Sequence, residues 1–157
     1  MTEVSEDQKK EWEEKLKNMS PEELDQLRKE QNIFYQIVQG KIPAKKVYED
    51  DKCLAILDIN PAAKGHVILF PKEPYVIMPQ VPEEVLSHLF KITKKISHGL
   101  LRALKVSGTT IFIANGQVAG QIAQQFLIHI IPRREGDGLF KDKEKLISKD
   151  LQHKTKV

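Results

Sequence analysis

From Gly120 the chain reads Gly-Gln-Ile-Ala-Gln-Gln-Phe-Leu-Ile-His-Ile-Ile-Pro-Arg, ending at Arg133. Its Gln125 to Ile131 portion is β-branched and aromatic, with no glycine and with Pro132 as a stop, which predicts a strand. Side chains alternate along a strand, so Gln125, Leu127, His129 and Ile131 share one face and Phe126, Ile128 and Ile130 the other. An imidazole in such a row can hydrogen-bond a phosphate oxygen. A single histidine among aliphatics is equally the ordinary form of a core residue held by one hydrogen bond. What surrounds the strand decides between them.

Other residues able to hold a ligand sit in turns. Asp58 opens Asp-Ile-Asn-Pro and Asn115 opens Asn-Gly, and both types also serve turns for purely local reasons. Gly120 and Gln121 form a loop whose backbone can approach an anion, since glycine has no Cβ. His66 precedes an apolar run and reads more readily as structural.

The elements that must position these residues follow from periodicity. Trp12, Leu16 and Met19 recur at helical spacing, and Ser20-Pro21-Glu22-Glu23 has the cap serine, first-turn proline and later glutamate of a second helix through Leu24 and Leu27. This hairpin is too narrowly apolar to be a domain, so it must dock on the body, on a partner, or serve as a solubilising arm. A short helix spans Ile33 to Val38; Lys45 to Glu49 and Cys53 to Leu57 form a hairpin about Asp50-Asp51. His66 to Phe70 is a buried strand, Tyr75 to Met78 an edge strand between prolines. The longest helix opens at Pro82, holds Val85, Leu89, Ile92, Ile96, Leu100 and Leu104 on one face, and ends near Gly108. Thr109 to Ala114 is the next strand. The order predicts an α+β domain with a mostly antiparallel sheet of about five strands and helices on one face.

With 157 residues and 18.0 kDa the chain holds one domain with appendages. No apolar run approaches the roughly 20 residues that cross a bilayer, and the polar, acidic start lacks the apolar stretch of a secretory signal, so cytoplasmic residence is expected. A single cysteine, Cys53, excludes an internal disulfide and a cysteine-pair metal site, and its setting predicts a packed strand thiol. The net charge of +3 is uneven, since residues 1–31 hold ten acidic and six basic side chains. The last 17 residues hold six lysines and three acids, a pattern that fits a solvated face better than a nucleic-acid site.

Taken together, several segments resemble the histidine triad (HIT) family. They are Ile42-Pro43-Ala44 with Lys46 to Glu49, Leu57-Asp58-Ile59-Asn60-Pro61, Gly65-His66, Pro71-Lys72, Asn115-Gly116, Gly120-Gln121, and His129 to Arg133. The resemblance covers residues 32–138 and divides the chain into a hairpin extension (1–31), a HIT-like domain and a basic tail (139–157). It implies a homodimer formed through a strand and the long helix, with a nucleotide cleft over the triad strand. In active members the middle of three alternating histidines attacks the α-phosphorus, and the third steadies phosphate oxygens. Here those positions hold Gln125, Leu127 and His129, and leucine has no lone pair to attack with. A hydroxyl expected two residues after the loop glycine is replaced by Ile122. The positions of the family's structural zinc ligands hold Asn32, Tyr35, Pro74 and Gln125, so neither a metal nor another cofactor is expected.

The resemblance therefore implies no catalytic residue and a binding set of Asp58, His66, Asn115, Gly120, Gln121 and His129. The leading expectation is a non-catalytic purine-nucleotide-binding protein. One alternative is a dimeric interaction module with its pocket filled by Leu127, Ile122 and Ile131, reaching a protein partner through residues 1–31 or the tail. The other is a divergent HIT hydrolase or nucleotidyl transferase. Neither nucleic acid nor membrane is expected as a partner.

Overall fold

The computed structural model describes residues 5–140. Helix α1 (Glu6–Asn18) and helix α2 (Pro21–Gln31) each begin in a reciprocal capping box, Ser5 with Gln8 and Ser20 with Glu23. Neither helix buries a residue, and Trp12 and Leu16 remain exposed. The connection to the body runs through α2 beside α3 (Ile33–Val38), whose cap residue Asn32 accepts from the amides of Phe34 and Tyr35.

The sheet has five strands in the order β1-β2-β3-β5-β4, every neighbour antiparallel. They are β1 (Lys46–Glu49), β2 (Cys53–Leu57), β3 (Val67–Pro71), β4 (Gly108–Phe112) and β5 (Ile128–Arg133). Period-2 alternation sorts their side chains into two cores. On one face Cys53, Ala55, Val67, Leu69, Ile128 and Ile130 meet Leu89, Ile92 and Ile96 of α4 (Glu83–Leu104). On the other face Leu54, Ile56, Ile68 and Phe70 are covered by α3 through Ile37 and Phe34, with the Phe34 ring edge-on to Phe70. Full burial of each such aliphatic contributes about 1.5–3 kcal/mol. No helix among the described residues is long and apolar enough to cross a membrane.

Four expectations are corrected. Helices cover both faces of the sheet rather than one, α4 on one side and α3 on the other, because both faces of the central strands are apolar. Residues 75–77 make no strand; a 3-10 turn follows at Met78–Gln80. The Gln80 side chain accepts from the amide of Val76, which a ladder would have needed, and flanking Pro74 and Pro79 have no N–H to give. Strand β5 starts three residues later than its composition suggests and continues through Pro132. Since β3 pairs only with Ile128 to Ile130, Pro132 sits where β5 has one neighbour, and the missing donor is tolerated. Helix α4 stops at Leu104, before Gly108, with Lys105 in the left-handed conformation as its cap. Of the basic segment 139–157, only residues 139 and 140 are among those described.

The strap before β3 lies against the end of α4. Gly65 has φ of +87°, and a Cβ there would collide with Leu104 Cδ1 and lie 3.4 Å from Pro132 Cγ. Conformation selects glycine here, and an added Cβ would also have to displace the Leu104 side chain.

Candidate functional site

His129 stands on β5 opposite Ile68 of β3, which puts it on the α3 side of the sheet. Leu127, in the irregular lead-in to β5, packs into the core on that same side, while Phe126 is fully buried in the other core. The alternation expected from the sequence thus extends beyond the strand itself. His66, just before β3, is buried, and its Nε2 lies 3.0 Å from His129 Nδ1.

The direction of that bond follows from its neighbours. The Ala62 amide donates to His66 Nδ1 at 3.0 Å, so this nitrogen carries no hydrogen. His66 must then hold its hydrogen on Nε2 and donate it to His129 Nδ1, which leaves the His129 hydrogen on Nε2. Among the described residues that Nε2–H has no partner. Burial pushes the pKa of His66 down, with the Asp58 carboxylate opposing. Burial and then the neighbouring His66 push His129 down, again against Asp58. Both rings are therefore neutral at pH 7, and His129 is a neutral donor of fixed tautomer.

Asp58 completes the cluster with Oδ2 at 3.6 Å from His66 Nδ1. Its Oδ1 accepts from the Asn60 amide at 2.8 Å, so the turn role and a ligand role use different oxygens. Asn115, Gly120 and Gln121 form a neighbouring loop whose hydrogen bonds run elsewhere. Asn115 Oδ1 accepts from the Met78 amide at 2.8 Å. Gln121 is a staple: Oε1 accepts from Gly116 N, while Nε2 donates to the carbonyls of Val76 and Ala123. Its side chain is spent on holding the loop, leaving backbone as its means of meeting a ligand. Gly120 has φ of +90° and nothing within 4 Å of a Cβ position, so conformation rather than crowding selects glycine.

Ile122 is 98% exposed and fills no pocket, which removes it from the set expected to occlude the cleft. Ile131 is buried, and Leu127 is partly buried beside Phe34 and Phe70. Gln125, almost fully buried, accepts from Asn32 Nδ2 through Oε1 at 3.0 Å. Two of the four positions matched to zinc ligands are thus joined directly by an amide-to-amide hydrogen bond. Asn32, Tyr35, Pro74 and Gln125 offer no thiolate or imidazole, and they do not fit the ion.

Sequence reasoning missed the bond of His66 to His129, the staple formed by Gln121, and the contact of Asn32 with Gln125. The last joins residues 93 apart in the chain. Amide-bearing residues at two aligned zinc positions were the available signal. The link between His66 and His129 required the register of β3 against β5.

A five-stranded antiparallel sheet with one long helix on one face and a short helix beside a histidine pair on the other defines the protein as an α+β domain of HIT type. The HIT domain model matches residues 39–136, and the chain belongs to the HIT family. It is 46% identical over 106 residues to an uncharacterised HIT-like protein of Methanocaldococcus jannaschii, covering 68% of this chain and 81% of that one. It is 37% identical over 108 residues to the adenylylsulfatase HINT3 of Arabidopsis thaliana, covering 69% of this chain and 55% of that protein. A solved zinc-bound histidine triad family protein from Mycobacterium smegmatis superposes with a TM-score of 0.68 at 33% identity, covering 71% of this chain and 81% of that one.

Proposed function

We propose that the cleft binds a purine mononucleotide and does not turn it over through a histidine nucleophile. The observation that carries the reading is the ordered sequence from the Ala62 amide through His66 to His129, which prepares a neutral Nε2–H donor beside Leu127. A phosphate oxygen accepts from such a donor without a protonation step. Asp58 Oδ2 serves the ribose hydroxyls, and the backbone of Gly120 and Gln121 serves phosphate. Leucine at position 127 supplies neither a lone pair nor an exchangeable proton, so the covalent intermediate of active relatives has no atom to form on.

The structural zinc of some relatives is absent from this reading, the amide pair of Asn32 and Gln125 bracing the same place. A homodimer is part of it. Strand β4 is a sheet edge, Ile111 on it and Phe90 on α4 are exposed, and Thr109 bonds Ser97 two helical turns beyond Phe90. The edge strand and this helix flank form one surface for a second copy. Residues 1–31 and 139–157 act as an arm and a basic tail outside the binding domain.

The test is thermal melting with millimolar AMP, GMP or ADP, which raises the melting temperature of the wild type by mass action. His129→Gln reduces that shift. No shift with any of the three ends the nucleotide reading and leaves the interaction module in its place. Turnover of an adenosine phosphoramidate that depends on His129 supports the divergent hydrolase instead.

A further inference from the structure

On the α4 side of the sheet, away from the histidine pair, Asp50, Cys53 and His88 bring a carboxylate oxygen, a thiol sulfur and an imidazole nitrogen within 4.8 Å of one another. Asp50 is in the β1–β2 turn, Cys53 starts β2, and His88 is in the second turn of α4. We propose that these three residues form a binding site for a transition-metal dication of the zinc or cobalt class. The absence of metal expected from the single cysteine and the missing family zinc ligands does not bear on them, because one thiol with an imidazole and a carboxylate is a complete protein donor set for an ion that keeps a water.

The spacing is close to what coordination needs. Donors about 2.0–2.3 Å from a tetrahedral centre lie about 3.3–3.8 Å from one another, so small side-chain rotations suffice. His88 Nε2 and Asp50 Oδ2 are now 2.6 Å apart and share a hydrogen. An ion would take the place of that hydrogen and spread the two atoms. The carboxylate is already oriented: Oδ1 accepts from the amides of Lys52 and Cys53 at 2.9 and 2.8 Å, and Tyr48 Oη donates to Oδ2 at 2.9 Å. Such outer contacts are what fix a ligating carboxylate. Cys53 is wholly buried, but the side chains of His88 and Asp50 are 28% and 19% exposed, which gives an ion a way in and a water a place to complete the shell.

Binding forms one bond to Cys53 sulfur and releases the thiol proton to solvent. The hydrogen on His88 Nε2 passes by way of solvent to Nδ1, and the freed Nε2 lone pair binds the ion. Burial, and next the Asp50 carboxylate, push the free thiol up to about 12.

The experiment is titration of the full chain with Co2+ alone, followed by the near-ultraviolet thiolate-to-cobalt charge-transfer band, with Zn2+ as competitor. One equivalent generates the band in the wild type, Zn2+ abolishes it, and Cys53→Ser does not give it. His88→Gln, which keeps a hydrogen-bonding group at a part-exposed helix position, weakens Co2+ binding by about 100-fold or more. His129→Gln leaves the titration unchanged, separating this site from the cleft. Absence of the band at saturating Co2+ in the wild type overturns the proposal. So does a band of undiminished affinity in a folded His88→Gln protein.

Discussion

Two clusters with nearly the same ingredients sit on opposite sides of the sheet. Asp58, His66 and His129 lie on the α3 side; Asp50, Cys53 and His88 lie under α4. In the first, a backbone amide occupies one nitrogen of His66, and the remaining bonds can run in one direction only. The outcome is a single outward donor. In the second, Asp50 receives His88 and Tyr48 on the same oxygen, and among the described residues no amide commits the histidine. The outcome is convergence on one point. What an aspartate–histidine cluster can do thus depends less on its membership than on whether main-chain groups have already claimed a ring nitrogen.

The largest way to sharpen the contrast is Leu127→His. If the cleft lacks only its nucleophile, this change raises phosphoramidate turnover by about 1,000-fold or more and yields a trappable nucleotidyl adduct, checked by mass spectrometry. Turnover without an adduct would mean the cluster is arranged for another task. Next, His66→Leu keeps the His129 side chain in place but frees its tautomer; nucleotide affinity falls about tenfold by calorimetry. An unchanged affinity breaks the claim that order within the chain matters.

Acid titration distinguishes the clusters by window. The cleft histidines have folded pKa values below their ordinary value of about 6.5, so the unfolded chain binds more protons there. Their contribution is complete above about pH 6.5 and is lost as pH falls through the folded values. At Asp50 burial acts upward, but the His88 bond and the Cys53 and Lys52 amides outweigh it and hold the carboxyl far below its usual range. Its contribution persists to about pH 4 and fades only below that. Melting temperature against pH should therefore fall in two separate stages, and His66→Leu should shrink the upper one alone. The smallest effect is expected of Ile122→Ser, within about 0.5 kcal/mol in stability and without change in nucleotide affinity, because that side chain touches no core.

Much of the fold was legible because burial writes itself as periodicity. The spacing of Leu89, Ile92 and Ile96 gave α4, and the run from Cys53 to Leu57 gave β2. Residues 75–77 misled, since their composition suits a strand while the Gln80 side chain satisfies the amides of Val76 and Ile77 and the Glu73 carbonyl that of Tyr75. Propensity cannot see that competition. At the site, the residue types at 58, 66 and 129 were visible, but the direction of hydrogen bonding was not. It rests on the amide of Ala62, a group that has no letter in the sequence. The Asp50 cluster was hidden for a different reason: His88 reaches it from another element, 38 positions away.

The contact of Gly65 with Leu104 has a bearing on how this chain can change. Position 65 touches the last residue of α4 on one side and immediately precedes His66 on the other. A Cβ at 65 meets both a left-handed backbone and an occupied space, while a smaller residue at 104 removes only the second obstacle. The two positions are therefore epistatic, with Leu104→Ala recovering part of the loss caused by Gly65→Ala and never the whole. What the end of the long helix carries thus helps decide what the position next to His66 can hold, through a residue with no side chain of its own.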